Sequence, residues 1–141
     1  DLVSIVLAHS PAYVATATPA FHKDMERKVK RALEAKGPRY LHVLVPCPLG
    51  WQFETSKTVK MSQLAVQSNV FPLAEWRDGV LQKAKGAAVP LPVDDYLRPQ
   101  GRFAHLFRDE RGEAERARIQ ATADEMARRL GLNVYSERAA G

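Results

Sequence analysis

The sequence predicts an α/β fold: the end portion of a parallel-sheet domain over residues 1–50, then a mixed helical and hairpin extension over 51–141. Three observations carry this. Apolar runs at 13–17 and 40–45 flank a helical pattern at about 20–36, the spacing of a right-handed strand–helix–strand crossover between parallel strands. The texture changes after Trp51, and Asp78-Gly79 then gives a hairpin turn signal. A long amphipathic helix at about 112–130 follows. With 141 residues the chain has the size of one ordinary domain and can bury a real core.

Each element has its own local cause. Residues 2–8 read as the last turns of a helix whose start is missing, ended by Pro11. The strand at 13–17 is rich in small residues that permit close packing. Thr18 stands as an N-cap with Pro19 at the first helical position. The helix that follows puts Phe21, Met25, Val29, Ala32 and Leu33 on one face, and Gly37-Pro38 stops it. The run 40–45 is nearly all apolar and reads as a strand buried on both faces. Thr55 or Ser56 caps a helix at about 57–68, residues 71–76 are strand-like, and 83–92 read as an exposed connection. Short helical pieces at 93–98 and 101–107 precede the last helix, whose stripe is Ile119, Ala123, Met126 and Leu130. Glu113 and Glu115 suit the positive end of that helix, Arg128 and Arg129 its negative end, and Gly131 closes it. The tail 133–141 reads as loose or used for contact.

Composition narrows the class. The chain is 45% hydrophobic and 26% charged, the balance of a globular domain. No apolar run is long enough to span a bilayer and no signal-peptide pattern opens the sequence. A single cysteine argues against a disulfide scaffold and favours a reducing, cytoplasmic setting. The absence of a starting Met suggests a piece of something longer. The net charge of +5 is dispersed, and no RNA-binding signature or basic–aromatic stripe marks a nucleic-acid partner.

The chemistry concentrates at Cys47. The apolar run ends there, and Pro46 and Pro48 clamp the thiol where chain direction changes. Loops at the carboxyl ends of parallel strands are where open α/β sheets place their ligands. Two readings stand: a small buried hydrophobe at a strand end, or a rigidly presented metal ligand. Pro48 keeps Cys47 out of helical geometry, so the sequence predicts no helix N-terminal contact to the sulfur. His42, five residues earlier, lies on the opposite side of a regular strand, and His9, His22 and His105 have no spacing that selects them. No phosphate loop and no close carboxylate set is present. Asp94-Asp95 reads as a helix cap, with a salt bridge as the lesser alternative, and Trp51 and Trp76 as packing anchors rather than cofactor stackers.

The run Tyr40-Leu-His-Val-Leu-Val-Pro-Cys-Pro-Leu-Gly-Trp51 resembles the β subunit of pyruvate:ferredoxin oxidoreductase and related 2-oxoacid:ferredoxin oxidoreductases. Tyr13-Val-Ala-Thr-Ala17, Lys57-Thr58, Ala65-Val66, Phe71-Pro-Leu73, Pro92-Val93 through Tyr96-Leu97, Gln100-Gly-Arg-Phe103 and His105-Leu106 extend the resemblance over essentially the whole chain, in the family's order. It implies that Cys47 is the fourth ligand of the [4Fe–4S] cluster nearest thiamine diphosphate. Three further cysteines and the Gly-Asp-Gly signature that binds thiamine diphosphate and Mg2+ would lie upstream. The chain then resembles the carboxyl-terminal part of the subunit: residues 1–50 finish the thiamine-diphosphate-binding domain and 51–141 form a family-specific extension. The complete enzyme implied by the resemblance decarboxylates a 2-oxoacid, with pyruvate the first choice. It passes electrons singly to ferredoxin and the acyl group to coenzyme A. No residue of this segment takes a catalytic role, and the segment alone is not expected to turn over. Gln67-Ser68-Asn69 and His9-Ser10-Pro11 depart from the family's pattern, and neither touches Cys47. The rival reading is a non-catalytic basic module that binds an acidic protein or nucleic acid, with no open sheet edge.

Overall fold

The computed structural model describes residues 1–136. Its centre is a four-stranded mixed sheet of β1 (Tyr13–Ala17), β2 (Arg39–Val43), β3 (Leu73–Arg77) and β4 (Val80–Lys85), in the order β2-β1-β3-β4. The strand–helix–strand expectation holds: β1 and β2 are parallel, with Tyr13 opposite Arg39 and Ala17 opposite Val43. The parallel arrangement expected for residues 1–50 is confined to this pair, and the sheet as a whole is mixed. The hairpin β3–β4 joins β1 antiparallel, with Val14 opposite Trp76. Asp78 and Gly79 both take positive φ (49° and 78°), the backbone of the two-residue hairpin turn that Asp-Gly favours. The extension after Trp51 thus contributes half the sheet.

β1 is the buried strand, all five residues inside, lying between β2 and β3 in the sheet. β2 is an edge strand with Arg39 and Val43 exposed, not the doubly buried strand expected. An apolar run shows what a strand is able to bury, and position in the sheet decides what it does bury.

α1 (Leu2–Leu7) precedes β1, and Asp1 accepts from the amides of Val3 and Ser4. α2 (His22–Glu34) starts after a 3-10 turn at Pro19–Phe21, and the Thr18 side chain makes no capping bond. Its expected apolar face is rotated. Leu33 is 73% exposed and Val29 is also exposed, whereas Lys28 and Ala32 are buried. Charge fastens this helix. Lys28 Nζ lies 2.8 Å from the Thr16 carbonyl and 2.6 Å from the Asp24 carboxylate. Arg31 Nη1 donates to both carboxylate oxygens of buried Glu75 on β3, at 2.7 and 2.9 Å.

Beyond the short α3 (Pro48–Trp51) come α4 (Thr58–Gln67), α5 (Val93–Leu97), a 3-10 segment Gly101–Phe107 and α6 (Glu110–Arg129). Asp109 caps α6, accepting from the Gly112 amide at 2.9 Å, so the helix begins two residues before the expected position. The larger core cluster lies here, with Met61, Leu64, Ala65, Val93, Tyr96, Leu97, Leu106 and Ala123. A smaller one joins Tyr13, Ala15 and Ala32 beneath α2. The first residues of the expected loose tail are anchored: Val134 is buried and the Asn133 carbonyl accepts from Asn69. Residues 137–141 of that tail lie outside the described residues. No helix among the described residues is long and apolar enough to cross a membrane.

Candidate functional site

Parallel pairing ends where the Leu44 amide donates to the Ala17 carbonyl at 2.9 Å, and Cys47 follows three residues later. Its thiol is free and exposed, which rules out the buried-hydrophobe reading. The backbone is extended (φ −104°, ψ 106°), as the following proline demands. The expected consequence, a sulfur without helix contact, is wrong for the same reason. An N-cap residue needs extended geometry, and Pro48 is pre-organised for the first helical position. Cys47 therefore caps α3, and its Sγ accepts from the Gly50 amide at 3.4 Å. The sulfur faces outward, beside Val45 (62% exposed) and Leu49 (91% exposed).

What lies behind this turn gives it shape. α3 ends at Gln52, a non-glycine residue in left-handed conformation (φ 58°, ψ 59°), whose carbonyl accepts from the Gly101 amide at 2.9 Å. That approach is close: a Cβ on Gly101 would sit 2.7 Å from Gln52 Oε1 and 3.1 Å from its carbonyl oxygen. Next along, the Arg102 guanidinium lies 3.9 Å from the Trp51 ring centre and 4.5 Å from that of Phe103. Its Nε donates to Gln100 Oε1 at 2.9 Å, and Gln100 is fully buried. Burial pushes the Tyr96 phenol up from its ordinary value, with Arg102 opposing it.

The remaining candidates fall elsewhere. His42 stands opposite Thr16 in the β1–β2 register and turns its ring edge-on to Phe71 at 5.3 Å. Both line an apolar cavity of about 440 Å3 between the sheet and α6, which Cys47 does not line, so no cysteine–histidine pair forms. His9, His22 and His105 are exposed. Asp94 and Asp95 occupy the first turn of α5 rather than its cap, and Asp94 pairs with Arg116 at 3.1 Å. Trp51 is an anchor, as expected, though its partner is a cation. Sequence reasoning missed Gln52 and Arg102. Only the Gln100-Gly-Arg-Phe103 quartet, quoted for its resemblance, pointed to that stretch.

Among the described residues no group of three or more His, Cys, Asp or Glu is placed to hold a metal ion. The donor chemistry still suits a cluster ligand. A lone accessible thiol on a rigid turn, with a backbone amide aimed at the sulfur, provides one thiolate and one hydrogen bond of the kind that tunes iron–sulfur sites. The rest of such a set cannot come from this sequence, which has one cysteine.

No family model matches the chain. Individual proteins do. The pyruvate synthase subunit PorB of Methanosarcina barkeri is 46% identical over 124 residues, 88% of this chain and 42% of the relative. PorB of Methanocaldococcus jannaschii is 41% identical over 94% of the chain and 43% of the relative. The ketoisovalerate oxidoreductase subunit VorB of Pyrococcus abyssi is 36% identical over 77% of the chain and 36% of the relative. The chain therefore spans about two-fifths of the length of the curated relatives it matches. At the level of family, the chain is homologous to the pyruvate synthase subunit PorB and the ketoisovalerate oxidoreductase subunit VorB.

Proposed function

We propose that this chain forms part of the thiamine-diphosphate- and iron–sulfur-dependent β subunit of a 2-oxoacid:ferredoxin oxidoreductase. In this reading Cys47 is one thiolate ligand of a [4Fe–4S] cluster. The observation that carries it is the presentation of Cys47: exposed, fixed between prolines, and capping a turn that aims an amide at its sulfur. Homology to PorB and VorB supports the subunit. The substrate is a 2-oxoacid, with pyruvate in first place because of the pyruvate synthase relatives, and the branched-chain ketoisovalerate second. Ferredoxin is the electron acceptor and coenzyme A the acyl acceptor. Residues 1–50 complete the cofactor domain and 51–141 form its extension, while thiamine diphosphate and Mg2+ rest on residues outside this sequence.

When bound, the cluster supplies one-electron transfer next to carbanion chemistry carried by the thiamine cofactor. The chain's own part is to hold the thiolate outward and to place an N–H donor at the sulfur. The unpaired edge of β2 and the exposed apolar row Val43, Val45 and Leu49 weigh against a self-sufficient basic module.

Cys47→Ser in the complete enzyme tests this reading. Loss of the iron of one cluster and of its electron paramagnetic resonance (EPR) signal is expected. Unchanged iron content with an unchanged spectrum would sink it.

A further inference from the structure

The Cys47 turn does not hold itself. α3 has four residues, too few for stable helix by itself, and its cap is a long bond to sulfur. Val45 and Leu49, two residues to either side of the thiol, are largely exposed and offer the turn little packing. Two contacts from the 3-10 segment fix it instead: the Gly101 amide on the Gln52 carbonyl, and the Arg102 guanidinium over the Trp51 ring.

Arg102 is itself locked from the buried side. Phe103 covers it, and Gln100 Oε1 accepts from Nε while Gln100 Nε2 donates to the Tyr96 carbonyl at 2.5 Å. No carboxylate pairs with Arg102 among the described residues. Its positive charge therefore stands uncompensated, stacked on the ring that begins one helical turn after Cys47.

We infer that Arg102 is a positioning residue for Cys47, pinning through Trp51 the short helix that Cys47 caps and setting an unpaired cation on that helix. The inference rests on the reading of Cys47 as a cluster ligand. A cation near a cluster favours the reduced, more negative state, so its removal moves the midpoint potential to more negative values. A planar guanidinium stacks and a lysine does not, so charge and geometry are separable.

The test uses the complete enzyme in three variants, Cys47→Ser, Arg102→Gln and Arg102→Lys, read by iron content, EPR and redox titration. The cluster that Cys47→Ser removes identifies the signal to follow. In Arg102→Gln that signal is displaced in g-value and its midpoint falls. In Arg102→Lys the midpoint lies nearer the parent while the g-values stay displaced. A parent spectrum and midpoint in Arg102→Gln overturn the inference alone. An intact cluster in Cys47→Ser removes the reading beneath it as well. If Arg102→Gln fails to assemble, Trp51→Leu removes the stacking platform and leaves Gln100 in place; an undisplaced signal there is equally decisive against it.

Discussion

Lys28 is the residue at which helical periodicity misleads. The stripe through Val29 and Leu33 looks like a core face, yet the side chain that goes inside is a lysine 2% exposed. It is tolerated because Asp24, one turn earlier, and the Thr16 carbonyl take its ammonium. Two chemical partners decided a rotation that hydrophobic spacing alone put elsewhere. Removing Lys28 strips Asp24 of one of its two cations and leaves Arg27 as the other, so Lys28→Met is expected to cost about 1.5–3 kcal/mol, and Lys28→Met with Asp24→Asn less. Urea denaturation of the three proteins measures it. Burial opposes ionisation of Asp24, but Lys28 and Arg27 outweigh it and hold the carboxyl below its ordinary value. A depressed carboxylate stabilises the fold fully above its unfolded value of about 4 and loses that contribution as pH falls through the folded value. Asp24→Asn therefore flattens the acid limb of a stability–pH profile below about pH 4, which acid titration of the melt reads. Gly112 is a steric counterpart. A Cβ there would lie 2.3 Å from the Leu106 carbonyl oxygen, so Gly112→Ala is expected to destabilise by roughly 1–3 kcal/mol, seen as a lower denaturation midpoint.

At the scale of elements, the two sheet edges differ in kind. β4 carries Lys83 and Lys85 and is bulged against β3 between Glu75 and Trp76, the devices by which edge strands avoid further pairing. β2 carries no lysine and runs on into the exposed Val45. The chain alone is therefore expected to associate through β2 in a concentration-dependent way. Sedimentation velocity checks this: Val43→Lys should lower the association, and a monomer at all concentrations would contradict it. The crossover, the Asp78-Gly79 turn and the last helix were legible because each is written in a few neighbouring residues. The edge position of β2 was not, since it depends on what pairs with a strand and not on the strand's own composition. The capping role of Cys47 was half legible: Pro48 gave the backbone, while the sulfur's use of the Gly50 amide needed the turn that follows.

For the molecule as a whole, the net charge of +5 becomes meaningful only with a partner. If basic surface steers an acidic ferredoxin to the complete enzyme, electron transfer slows as salt rises, because screening at 0.1 M acts beyond about 10 Å. Rates insensitive to ionic strength would remove that role. The fastening of Cys47 has a further consequence. The thiol precedes the exposed link at Ala88 and Val89, whereas Gly101 and Arg102, which hold its turn, follow it. A nick in that link would leave the thiol on one fragment and its restraint on the other. Integrity of the site would then depend on two pieces of chain staying together, and proteolysis far from the cysteine becomes a way to loosen it.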